Sequence, residues 1–199
     1  MTGCSGMTTP KSSRPPFVRK PPEQRAYILA ALIHPEDLLP FHRLRSRFFP
    51  GHRNFLSAHV TLLHYVRPEI REDFLAAVRR TVRRNAPAGT DHIPLRVDPP
   101  FSMGKGVAYG VEAAPLIALR DPLRFQFERH LKEQDLRPWK RPHITVQNKV
   151  EKEEARRLAR HLQYRFEPCT LRLEGLTVYR YDYGPWTLVE DVRFTTNHS

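Results

Sequence analysis

Two tetrapeptides of this chain share one pattern. His59-Val60-Thr61-Leu62 and His143-Ile144-Thr145-Val146 each read histidine, β-branched aliphatic, threonine, aliphatic, and they stand 84 residues apart. In a strand, successive side chains point to opposite faces. Each tetrapeptide therefore sets an imidazole and a hydroxyl on one face, with two aliphatic side chains packed behind. Two histidines near neutral pH can divide the proton transfers of phosphoester cleavage. A neutral imidazole takes a proton from the nucleophile, and an imidazolium gives one to the leaving oxygen. The threonine hydroxyls can donate hydrogen bonds to the non-bridging oxygens, where charge develops in the transition state. That scheme needs no metal and no cofactor. One such motif among ten histidines is weak, but two copies with similar flanks are a strong signal.

Other chemistries find less support. His59 and His64 are five residues apart, so in a regular strand they face opposite sides, and no acidic ligand is near them in sequence. Neither GxGxxG nor GxxxxGK[ST] occurs; Met103-Gly104-Lys105-Gly106 is glycine-rich but has neither spacing. The two cysteines, Cys4 and Cys169, form no CxxC pair and no disulfide framework. They read as an incidental and a buried thiol in a reducing compartment, and the expected location is cytoplasmic. The longest apolar run, around Tyr27–Ile33, is far too short to span a bilayer, so no membrane partner is expected.

The elements that must position the histidines alternate. Residues 26–33 form an apolar run suited to a buried strand. Residues 35–48 have helical spacing, 58–65 are β-rich, and 68–84 repeat apolar side chains at helical intervals. Strands are expected at 93–99 and 106–113, a long helix at 115–134, a strand at 143–149 and a helix at 151–162. A closing hairpin, 170–181 and 186–194, turns at Asp182-Tyr183-Gly184-Pro185. Helices mixed with hairpins favour an α+β fold with mixed or antiparallel sheets over a doubly wound parallel one.

The chain has 199 residues and a formal charge of +12. That excess favours a polyanionic partner. Residues 1–24 read as a disordered, basic, proline-rich arm, with Pro10, Pro15, Pro16, Pro21 and Pro22 among them. Counted through Arg25 the charge is net +4, which leaves +8 on residues 26–199; the folded part reads as a single domain, residues 25–199. The arm holds no apolar signal core. Lys140, Arg141 and Lys105 are candidates to neutralise a phosphate. Tyr27, Phe101 and Tyr181 are candidates to stack a base.

The paired tetrapeptides, their spacing and the strand–helix order resemble the two-histidine (2H) phosphoesterase superfamily, closest to its bacterial 2′-5′ RNA ligase-like or cyclic phosphodiesterase-like branch. The likeness spans about residues 26–195, including the opening strand, the Phe101–Tyr109 stretch and Pro142–Val146. It implies a bilobal, pseudo-symmetric fold. Two sheets would flank a central cleft, with helices outside and one His-x-Thr strand supplied by each half. It also implies action on RNA-type phosphoesters, most often a 2′,3′-cyclic phosphate opened to a 2′-phosphomonoester, by a monomeric, metal-independent enzyme. By that likeness His143 is the base and His59 the acid, with the reverse left open by near-symmetry. Making or breaking 2′-5′ linkages, or binding RNA ends without turnover, are the alternatives.

Overall fold

The computed structural model describes residues 19–139 and 141–194. Most of the expected arm, and Lys140, lie outside them. Of the described residues before Arg25, Pro22–Gln24 make one 3-10 turn, and the Lys20 amide donates to the Tyr183 hydroxyl at 2.8 Å.

Seven strands build the centre: β1 (Tyr27–Ile33), β2 (Thr61–Val66), β3 (Ile93–Ser102), β4 (Gly106–Val111), β5 (His143–Asn148), β6 (Thr170–Tyr181) and β7 (Trp186–Arg193). Every pairing among them is antiparallel. One lobe holds β1, β2, β6 and β7, and the other holds β4 and β5. The long β3 joins them: Ile93–Arg96 pair with β6, and Val97–Ser102 pair with β4. Pro99 and Pro100, which supply no ladder donor, sit where β3 changes partner; the register is interrupted between Val97 and Pro100.

The helices are α1 (Pro35–Phe48), α2 (Arg71–Arg84), α3 (Ala113–Gln126), the short α4 (Glu133–Leu136) and α5 (Lys152–Tyr164). Helix α1 leaves β1 but packs on β5, and α3 leaves β4 but packs on β2. Each crossover helix thus covers the other half. The order strand, helix, His-x-Thr strand, helix runs twice, which is the expected pseudo-symmetry. Val60, Leu62, Ile144 and Val146 are buried, as the alternation requires. Among the described residues no helix is long and apolar enough to cross a membrane.

Some expectations change. The helix over 115–134 stops at Gln126, because the chain turns out to bridge Val66 at Leu131 and the Arg67 amide donates to the His130 carbonyl. Phe127 keeps its helical spacing but packs edge-on against Phe74, at 5.5 Å. Cys169 is exposed at the start of β6 rather than buried. Tyr27 is 4% exposed and belongs to the core, so it stacks no base.

Candidate active site

Both tetrapeptides reach one cleft of about 250 Å³ between the lobes. His59, Thr61, His143 and Thr145 all line it. The two imidazoles are held alike. His59 Nδ1 lies 2.7 Å from the Ser57 carbonyl, and His143 Nδ1 lies 2.9 Å from the Arg141 carbonyl. A carbonyl only accepts, so each Nδ1 carries the hydrogen, and in the neutral ring each Nε2 is left with its lone pair.

The strands then depart from regular alternation at matching places. Leu29 pairs with Leu63 but Ala30 with Thr61, so Leu62 is an extra residue in β2. Val107 pairs with Gln147 but Ala108 with Thr145, so Val146 is extra in β5. Each β-bulge turns two consecutive side chains inward and reverses the phase of the residues after it. Leu62 and Leu63 are both buried, as are Val146 and Gln147. His64 and Asn148, again 84 residues apart, therefore rejoin the cleft face. The expectation that His64 faces away from His59 holds for a regular strand and is overturned by this bulge. Gly106 makes the second bulge possible: a Cβ there would lie 2.2 Å from the Gln147 carbonyl oxygen.

Bulges leave backbone groups to be satisfied elsewhere. A second register shift lies between Leu29 and Tyr27. There Asp135, 1% exposed on α4, accepts from the His64 amide at 2.9 Å, the Tyr65 amide at 3.0 Å and His64 Nδ1 at 2.9 Å. Arg120 of α3 donates to the Leu62 carbonyl at 2.9 Å and to the Asp135 carbonyl at 2.6 Å. Arg45 of α1 mirrors it across the pseudo-two-fold, donating to the Thr145 carbonyl at 3.0 Å as well as to Asn54 and Leu56. Each crossover helix thus ties a buried arginine to the His-x-Thr strand of the other half. Burial lowers both guanidinium pKa values, that of Arg45 to about 10, which still leaves it charged.

The symmetry ends at the rings. Trp186, the first residue of β7, lies over His59 with centroids 4.6 Å apart, and Tyr179 backs it at 5.5 Å. Loss of water pushes the His59 pKa down to about 4, against the raising effect of its Ser57 bond; the positive charge of Arg45 adds to the fall. His143 instead meets the edge of Phe101 at 6.1 Å. Asn148 accepts the Lys149 amide on its Oδ1 at 2.8 Å, which leaves its amide hydrogens as donors. Among the described residues no three of His, Cys, Asp and Glu come together as metal ligands.

The sequence model of the 2′-5′ RNA ligase superfamily matches residues 33–185. The chain belongs to that family. No curated protein matches it. Solved structures share its fold. TT0787 of Thermus thermophilus superposes with a TM-score of 0.60 at 19% identity, over 87% of this chain and 100% of that one. Escherichia coli LigT with 3′-AMP gives 0.59 at 19% identity, over 86% and 99%.

The other residues read as candidates are scattered. Arg141 lends its carbonyl to His143, while its guanidinium stacks 3.8 Å from the Phe101 ring centroid, outside the cleft. Lys105 is exposed on the β3–β4 turn, away from the cleft lining. Phe101 packs against His143 rather than against open space. Tyr181 lines a groove beside the cleft. The cleft lining also holds Met103, Trp139 and Trp186, which sequence reasoning passed over. A signal was available: the chain has only two tryptophans, and both stand here.

Proposed function

We propose that this member of the 2H phosphoesterases is a metal-independent RNA phosphoesterase that opens 2′,3′-cyclic phosphates to 2′-phosphomonoesters. The observation that carries the reading is the pair of imidazoles in one cleft. Both have Nδ1 fixed on a backbone carbonyl and Nε2 available, and each has a threonine hydroxyl beside it. A phosphate between them takes hydrogen bonds on its non-bridging oxygens from Thr61, Thr145 and the Asn148 amide. One histidine removes the proton of the attacking water as the other protonates the departing ribose 3′ oxygen.

The cover of Trp186 over His59 supports the direction opposite to the one the family likeness suggested. His59 enters neutral and serves as base in hydrolysis, and His143 serves as acid. E. coli LigT forms complexes with 3′-AMP, NADP+ and ATP, which supports a nucleotide as the ligand here. The family description favours a second reading, in which a 5′ hydroxyl of another strand takes the place of water, the 3′ oxygen leaves and a 2′-5′ bond forms; in the reverse direction the 3′ hydroxyl attacks and the 5′ oxygen leaves.

The deciding experiment offers 2′,3′-cyclic nucleotides and 2′-5′-linked RNA to the protein and identifies products by mass and phosphate position. Wild type is expected to release 2′-phosphomonoesters, with EDTA without effect. Replacing His59 or His143 by Ala is expected to slow turnover by about 10²–10⁴-fold. Near-normal hydrolysis by both variants refutes the scheme.

A further inference from the structure

A groove that this catalytic scheme does not use opens beside the cleft. Tyr65, Tyr181, Lys132, His64 and Trp186 line it. His64 and Trp186 also line the cleft, so the groove adjoins it. The groove is aromatic and cationic together. The Lys132 ammonium sits 4.2 Å from the Tyr65 ring centroid, Tyr181 is 41% exposed, and Tyr183 stands 5.7 Å from Tyr181.

Its walls are held firmly. On one side the irregular pairing of β2 sets Tyr65 next to His64, and the buried Asp135 binds both backbone amides. On the other side the β6–β7 turn is pinned to the start of the domain. Arg25 pairs with Asp182 at 2.7 Å, and Arg180 donates to the same carboxylate at 2.9 Å. These contacts hold the Asp182 carboxyl well below the usual carboxylate range, the Arg180 bond contributing most. Rings for bases and an ammonium for a phosphate, arranged along a path from the cleft, match the alternation of a single nucleic-acid strand.

We propose that this groove is a second nucleotide subsite. It holds the nucleotide on the 5′ side of the one that carries the reacting phosphate, so the preferred substrate is the 3′ end of a single-stranded oligoribonucleotide rather than a mononucleotide. Base stacking on the exposed Tyr181 tolerates any base, with Trp186 as the wall shared with the cleft, while Lys132 meets the phosphate that links the two nucleotides. The proposal rests on the phosphoesterase reading for its reaction, but not for its binding.

The test compares kcat/KM for a 2′,3′-cyclic mononucleotide with that for a trinucleotide ending in the same cyclic phosphate. Wild type is expected to prefer the trinucleotide by on the order of 10-fold or more, the scale of one stacked base. Lys132→Ala is expected to lower the trinucleotide value several-fold, to reduce its salt slope by about 0.7, and to leave the mononucleotide value unchanged. Tyr181→Ala is expected to lower the trinucleotide value by on the order of 10-fold. Equal values for the two substrates in wild type, or equal losses on both in Lys132→Ala, overturn the subsite. If neither substrate turns over, the phosphoesterase reading has failed. The subsite is then judged by the Kd of a 3′-phosphorylated trinucleotide against a 3′-phosphorylated mononucleotide, read by tryptophan fluorescence. A length advantage that Lys132→Ala removes supports it, and no such advantage overturns it.

Discussion

His59 is expected to stay neutral far into acid, and folding stability should reveal it. Its pKa falls from 6.5 to about 4 because Trp186 and the cleft wall take the ring partly out of water. The unfolded chain therefore binds this proton below about pH 6.5, while the folded chain binds it only near pH 4. Between those values the unfolded state carries more protons, so stability falls as the pH falls. The full shift implies a loss of about 2 kcal/mol between pH 8 and pH 5. The ring is partly exposed, and screening by water reduces that to about 1 kcal/mol. The perturbations are His59→Asn, which removes the titration, and Trp186→Ala, which returns water to the ring. Urea unfolding at pH 8 and pH 5 gives the difference for each protein, and proton NMR of the imidazole, assigned by its absence in His59→Asn, gives the midpoint. Wild type should lose about 1 kcal/mol more than His59→Asn over this interval, and Trp186→Ala should move the midpoint back toward about 6.5. A wild-type midpoint at or above about 6.5, or the same pH dependence with and without His59, refutes the reasoning.

The groups that hold the bulges give further expectations. Asp135→Asn turns one donor group toward a backbone amide and should cost about 2–3 kcal/mol in chemical denaturation; an unchanged midpoint counts against its role. Arg45→Met strands the Thr145 and Leu56 carbonyls and should cost about 2–4 kcal/mol while also slowing turnover, measured by unfolding and by steady-state kinetics. Gly106→Ala forces β5 away from β4 and should cost about 1–3 kcal/mol, with the Asn148 amide resonances shifted more than those of His64. A Gly106→Ala protein of native stability shows that the bulge can relax.

The paired tetrapeptides were legible because a strand's two-residue period needs only four positions to declare itself. Val60, Leu62, Ile144 and Val146 are buried where that period puts them. The bulges were not legible, since nothing in Thr61-Leu62-Leu63-His64 distinguishes an extra residue from a regular step. The partner that satisfies the irregular backbone, Asp135, lies 71 residues away from His64. Helix α3 ends short of its sequence pattern for a related reason. Phe127 and Leu131 keep helical spacing, but a tertiary bridge to Val66 decides the path there. Lys105 and Arg141 stand close in sequence to a glycine-rich turn and to His143. Charge near a motif says little about direction: the Arg141 side chain turns to Phe101 while its carbonyl serves the site.

Symmetry by itself would serve this chemistry poorly. Two histidines at the entries to equivalent strands, each with Nδ1 on the carbonyl two residues before it, are built as equals. An acid and a base must hold different protonation states at one pH, and that requires unequal surroundings. The inequality enters through β7, which pairs with β6 off the main path of the sheet and has no counterpart among the described strands of the other lobe. Its first residue, Trp186, stands one position beyond the part of the chain that matches the family. In the proposed scheme the twofold repeat supplies two copies of the reacting groups, and an element outside the repeat makes their surroundings unequal. That scheme predicts that Trp186→Ala, which removes the cover of the first histidine, weakens the preference for one direction of proton transfer.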